Sequence, residues 1–161
     1  MAGATFVAMT KAARNAALKR LDAFVGEWRV VASFPGSPPG RAVFEWALDK
    51  QFLVQRTAAP RPAPDSMAIV SVDPNTGAYT QHYFDTRGVV RVYAMTFSRG
   101  VWTLLRDSPD FSPLDFSQRF KGRFSRDGKT IQGTWETSSE GRWERDFDLT
   151  YTRQRVRSRR G

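Results

Sequence analysis

Apolar and polar residues follow two rhythms along this chain. From Lys11 to Val25, the apolar residues Ala12, Ala13, Ala16, Ala17, Leu18, Leu21, Phe24 and Val25 recur at helical spacing. Lys11, Arg14, Lys19 and Arg20 fall mainly on the opposite side, and Gly26 can end the helix. Beyond Gly26 the repeat shortens to two. Alternating runs predict ten strands at about 27–34, 41–48, 51–58, 67–73, 78–84, 89–97, 101–106, 115–125, 129–136 and 142–153. Turn residues punctuate them, among them Pro35 to Gly40, Pro60 to Asp65, Asp73 to Gly77, Asp85 to Gly88 and Asp107 to Pro113. Strands at hairpin intervals with no helices between them predict an all-β fold. We expect a closed antiparallel up-and-down barrel of about ten strands, with a short N-terminal helix (11–25) capping one end. The expected organisation is a flexible N-terminus (1–10), one barrel domain (11–153) and a basic disordered tail (154–161).

The last three strands indicate which residues share a face. Asp127-Gly128 suits a two-residue type I′ turn. That register pairs Phe124 with Ile131, Gly122 with Gly133 and Phe120 with Trp135 on the inner face. In the final strand Trp143, Phe147, Leu149 and Tyr151 are expected inside. Glu144, Asp146, Asp148 and Thr150 are then outside, a carboxylate row beside the basic row Arg119, Lys121 and Arg123, which reads as a solvated salt-bridged surface. Two polar residues break the inner face: Arg145 between Trp143 and Phe147, and Gln118 between Phe116 and Phe120. Each must lie near the barrel mouth, pair internally, or orient a polar group of a bound ligand, since an unpaired charge on an apolar face is costly.

Composition narrows the chemistry. The 161 residues include no cysteine and one histidine, His82. Disulfides, thiol catalysis and cysteine-based metal sites are excluded, and so is any Ser-His-Asp site that does not use His82. The net charge of +9 suggests an anionic partner until it is located. All 16 acidic residues lie within 21–152, where the basic residues match them in number. The excess sits in Lys11, Arg14, Lys19 and Arg20 at one end and in Arg153, Arg155, Arg157, Arg159 and Arg160 at the other. A neutral body between basic ends argues against nucleic acid as a partner. A terminus of this kind is ordinarily a solvated tail, although it can attract polyanions. No run approaches the roughly 20 apolar residues of a membrane span, and Met1–Met9 lacks a basic leader, so we expect a cytoplasmic protein without membrane insertion.

The two ends of the strand region form a recognisable pair. A helix runs into Gly26-Glu27-Trp28, and the last strand ends Leu149-Thr150-Tyr151-Thr152-Arg153. This layout resembles the calycin superfamily of lipocalins, fatty-acid-binding proteins and nitrobindin-type barrels, over residues 18–153. The resemblance implies that Trp28 packs beneath the barrel against Arg153, with Gly26 completing a structural signature; a guanidinium stacks well on an indole face. Ten strands and no cysteine are more similar to the intracellular members than to secreted lipocalins. Nitrobindin-type proteins hold haem iron on a C-terminal histidine. No histidine follows His82 here, so haem is not expected in that manner and no cofactor is expected.

A barrel of this kind can hold a small molecule among its inward side chains. Residues combining an aromatic body with a polar tip concentrate in Tyr79–Phe84 and Val89–Met95. A four-residue connection places His82, Arg91 and Tyr93 on one face; a three-residue loop with a bulge at Gly88 instead groups Tyr83, Arg91 and Tyr93, and puts His82 with Val90 and Val92. Arg91 and Tyr93 share a face in both. The candidate ligand contacts are Trp46, Tyr83, Arg91, Tyr93, Gln118, Trp135 and Arg145, around a small hydrophobic or aromatic molecule that can be anionic. An alternative is a cofactor-independent cyclase, isomerase or dehydratase of a polyketide-like substrate. There His82 would act as base, Arg91 would neutralise an enolate or carboxylate, and Tyr83 or Tyr93 would donate a proton. A third reading is polyanion binding through the tail, and the expected state is monomer or homodimer. No nucleophile elbow, phosphate loop, dinucleotide fingerprint or H-E-x-x-H motif is present.

Overall fold

The computed structural model describes residues 12–155; the expected N-terminus and residues 156–161 of the expected tail lie outside the described residues. An α-helix (α1) over residues 12–20 passes into a 3-10 turn, Leu21–Phe24, and the chain then enters the strands. These are β1 (Gly26–Ala32), β2 (Gly40–Ala47), β3 (Phe52–Ala58), β4 (Ser66–Val72), β5 (Tyr79–Asp85), β6 (Val90–Ser98), β7 (Val101–Arg106), β8 (Ser117–Phe124), β9 (Thr130–Ser138) and β10 (Glu144–Arg153). Each strand pairs antiparallel with its sequence neighbours, and β10 pairs with β1 to close the barrel. Closure leaves no strand edge with unpaired backbone groups. The expected all-β barrel of ten strands with a capping helix is the fold observed.

Side-chain alternation divides the barrel into two ends of different character. At the α1 end, Ala17, Leu21, Phe24 and Trp28 are fully buried. Phe24 sits among Phe44, Phe97, Trp102 and Phe124, with ring centroids 4.8 to 5.5 Å apart. Such tilted and edge-on contacts suit the aromatic quadrupole. Tyr79 Oη donates to Ala17 O at 2.5 Å, fastening the helix beneath the barrel. At the opposite end the inward positions become polar: Gln55, Thr57, Gln81, Tyr83, Asp85, Arg91, Arg106 and Gln118. The β7–β8 connection folds over this end, where Asp110 accepts from Val92 N at 2.9 Å and Ser112 Oγ donates to Val90 O at 3.3 Å.

Three local expectations change. The β8–β9 register is as expected, with Phe124, Gly122 and Phe120 opposite Ile131, Gly133 and Trp135. The turn is different. Gly128 N donates to Ser125 O, Gly128 has φ of +71°, and Asp127 is not left-handed, so the connection is built on an ordinary turn and is not type I′. Asp127 instead accepts from Ser125 Oγ and Lys129 N, which holds the loop by side-chain bonds. The other two changes come from β10. Arg145 pairs with Glu136 and Phe147 with Trp135, so Asp146 is an extra residue in a β-bulge. The bulge reverses alternation on its N-terminal side: Arg145 turns outward, whereas Glu144, opposite inward Thr137, falls on the inner side. Trp143 is outside as well, under the Arg119 guanidinium at 4.2 Å.

Candidate functional site

Trp28 and Arg153 are Cα partners across the β1–β10 seam, and the guanidinium lies 4.2 Å from the indole centroid. Arg153 also donates to Ala23 O and Val25 O, each at 2.6 Å, and to Gly128 O at 3.3 Å. Trp28 Nε1 donates to Phe24 O at 2.8 Å. One arginine thus ties the last strand to the 3-10 turn, the first strand and the β8–β9 loop. Gly26 is required by this packing: its φ is +133°, and a Cβ there would stand 2.8 Å from Arg153 Nη1. Burial lowers the Arg153 pKa, because a desolvated guanidinium is less favourably charged. This end is packed with buried aromatic side chains.

The opposite end brings five of the expected contacts together. The β5–β6 hairpin adopts the register pairing Tyr83 with Arg91, His82 with Val92 and Gln81 with Tyr93. Tyr83, Arg91 and Tyr93 therefore point inward. His82 faces outward between Ile69 and Val92, so the arrangement that placed it beside Arg91 is not formed. Gln118 Oε1 accepts from Arg91 Nη1 at 3.2 Å and from Tyr93 Oη at 2.9 Å. Two donors on one amide oxygen set the amide orientation, and Nε2 donates to no partner among the described residues. The Arg91 guanidinium also lies 5.7 Å from the Phe116 centroid, and Tyr93 meets Trp135 at 5.7 Å. Burial raises the Tyr93 pKa, and the nearby Arg91 acts against that rise. Tyr83 donates to Asp85 Oδ2 at 2.9 Å; desolvation and this bond push the phenol up to about 12.

Beneath the β7–β8 connection lies a buried ion pair. Arg106 and Asp110 side chains are 3% and 5% exposed, with Nε to Oδ2 at 2.8 Å and Nη2 to Oδ1 at 2.9 Å. Asp110 is held well below the usual carboxylate range, chiefly by Arg106 and further by Val92 N and Ser112 N, against the effect of burial. Both Asp110 oxygens are bonded, so this bidentate pair fastens the loop.

An open pocket of about 640 Å³ lies beside the Arg91–Gln118–Tyr93 cluster. Phe116, Gln118, Thr137, Glu144 and Asp146 line it, with Glu140 and Arg142 from the β9–β10 loop. A groove of similar volume on the outer face of β2–β5 contains Arg41 and Arg56, but both are already paired, with Glu27 and Glu45. The mouth pocket has uncommitted hydrogen-bonding groups beside inward aromatic residues.

Tyr83, Arg91, Tyr93, Gln118 and Trp135 are thus gathered at the mouth. Trp46 is inward but at the α1 end, where Nε1 donates to Asp22 Oδ1 at 2.9 Å, so it is no wall of this pocket. Arg145 is on the outside, paired with Asp148 through Nε at 3.1 Å and a second contact from Nη2. Sequence reading did not anticipate Glu144 and Asp146 as pocket residues, because period-two alternation carries no sign of a bulge. Arg106 was within reach: it follows Trp102 and Leu104 on one face, with an acid four residues later.

No protein-family model matches the sequence, and no curated protein does. Among solved structures, the chain is similar in fold to the crystal structure of Rv2717c from M. tuberculosis, with a TM-score of 0.56 at 18% identity, covering 86% of this chain and 98% of that one.

Proposed function

We propose that this barrel binds a small aromatic molecule at its mouth, with a hydrogen-bond acceptor of the ligand, such as a carboxylate or carbonyl, directed at Arg91 and Gln118. The observation that carries the reading is the Arg91–Gln118–Tyr93 cluster beside an open pocket. Gln118 spends its oxygen on two neighbours and keeps two N–H donors. Arg91 uses one N–H on Gln118 and retains others. Phe116 and Trp135 supply flat apolar surface beside these donors, the combination usual in small-molecule pockets. The layout of α1, the closed barrel and Trp28–Arg153 resembles the calycin superfamily, and a binding role agrees with that resemblance. His82 has no part in this reading, since it faces away from the pocket.

The test is titration with 1-anilinonaphthalene-8-sulfonate, an aromatic anion whose fluorescence rises in apolar surroundings. Saturable binding with one site per chain is expected, weakened at least about tenfold by Arg91→Ala or Phe116→Ala in protein whose circular dichroism is unchanged; tenfold corresponds to about 1.4 kcal/mol. Binding that does not saturate, or that both variants retain in full, overturns the proposal.

A further inference from the structure

The bulge in β10 gives the mouth a second chemical wall. Without it, strand alternation would turn Arg145 inward and Glu144 outward. With Asp146 as the extra residue, Arg145 leaves the inner side and pairs with Asp148. Glu144 and Asp146 then line the pocket, Glu144 lying next to Thr137 and Thr137 next to Gln118 on neighbouring strands. Neither enters an ion pair among the described residues, whereas Arg145 and Arg119, which flank them, are paired with Asp148 and Glu136. Arg145 and Arg119 are thus directed to other acids, and the pocket lining keeps three carboxylates, Glu140, Glu144 and Asp146, with one arginine, Arg142. Bulges that re-aim side chains are common beside binding sites.

We propose that the mouth ligand is amphoteric: its acceptor end is held by Arg91 and Gln118, and a cationic or N–H-donor end by Glu144 and Asp146, across an aromatic middle resting on Phe116. The inference rests on the binding reading above and names the ligand class of the same site. Donor and carboxylate groups on one rim discriminate through both ends of a ligand. A simple aromatic acid leaves the two carboxylates without a partner and places its own charge near them. A simple aromatic amine leaves Arg91 and Gln118 unanswered. Such unanswered polar groups are the main source of selectivity in polar pockets.

Three probes of one shape separate the cases: 4-(aminomethyl)benzoate, 4-methylbenzoate and 4-methylbenzylamine, together with the 2,6-disubstituted naphthalene set to cover a longer span. Isothermal titration should show the amphoteric member of one set binding at least tenfold more tightly than its acid and its amine. The double variant Glu144→Gln, Asp146→Asn should abolish that advantage while binding the plain acid as well as before or better. Both positions lie at the open rim, so the variant is expected to fold. An acid that equals its amphoteric analogue, an advantage that survives in the double variant, or failure of all six probes while anilinonaphthalene sulfonate still binds, each overturns this inference and leaves the binding reading standing. Failure of every probe, anilinonaphthalene sulfonate included, overturns both.

Discussion

Single residues in this barrel act through the number of partners they satisfy. Asp110 accepts two bonds from Arg106 and two from backbone N–H groups, all in a site closed to water. Asp110→Ala should therefore destabilise the protein by about 3–5 kcal/mol in urea unfolding, since it strands a buried guanidinium. Adding Arg106→Met to the same chain should recover much of the loss, because the unpaired charge is then gone. The pH dependence follows from the direction of the shift. A carboxyl held low when folded and returned to about 4 on unfolding contributes stability that is complete above about pH 4. That contribution disappears as pH falls through the folded value. Wild-type stability should thus drop below about pH 4 more steeply than that of the Asp110→Ala, Arg106→Met variant, measured by urea midpoints across the range. This pair was partly legible in sequence as an arginine on an inward face. Its partner was not, because Asp110 lies in a loop whose return path is set by the fold.

At the scale of strands, register and packing are more informative than propensity. Gly122 and Gly133 face each other, and the Phe120 ring lies over them: a Cβ on Gly133 would stand 2.2 Å from Phe120 Cζ. The missing side chains are the space into which the ring folds, flat against the barrel wall and beside Trp135. Gly133→Ala should cost about 1–3 kcal/mol through overpacking. Phe120→Leu, in the same chain, should relieve part of it, giving a non-additive cycle in thermal unfolding. The hairpin positions were legible because period-two runs and turn residues reinforced each other. The bulge at Asp146 was not. An added residue leaves no mark on an alternating pattern, yet it exchanges the faces of Glu144 and Arg145 and so decides which charge lines the mouth.

For the molecule as a whole, stability and binding occupy opposite ends. The α1 end is packed with aromatics and sealed by Arg153, while the mouth carries polar groups around an open pocket. Arg153→Lys keeps the charge but loses the planar fork that reaches Ala23 O, Val25 O and Gly128 O. We expect a loss of at least about 2 kcal/mol, with unfolding still a single cooperative transition and anilinonaphthalene sulfonate affinity within a factor of two of wild type. A binding loss as large as that of Arg91→Ala would contradict the separation of the two ends. The sequence by itself determined the ten strands, the capping helix, the neutral body between basic ends, the β8–β9 register and the shared face of Arg91 and Tyr93. All of these follow from local periodicity, turn chemistry and charge, which neighbouring residues carry in the chain. The choice between two β5–β6 registers, the outward turn of His82 and Arg145, the place of Trp46 beneath the barrel and the carboxylate wall of the mouth were decided only by tertiary structure. A shift of one residue reverses every face in a strand, and only closure against the neighbouring strands selects which reversal buries the apolar set.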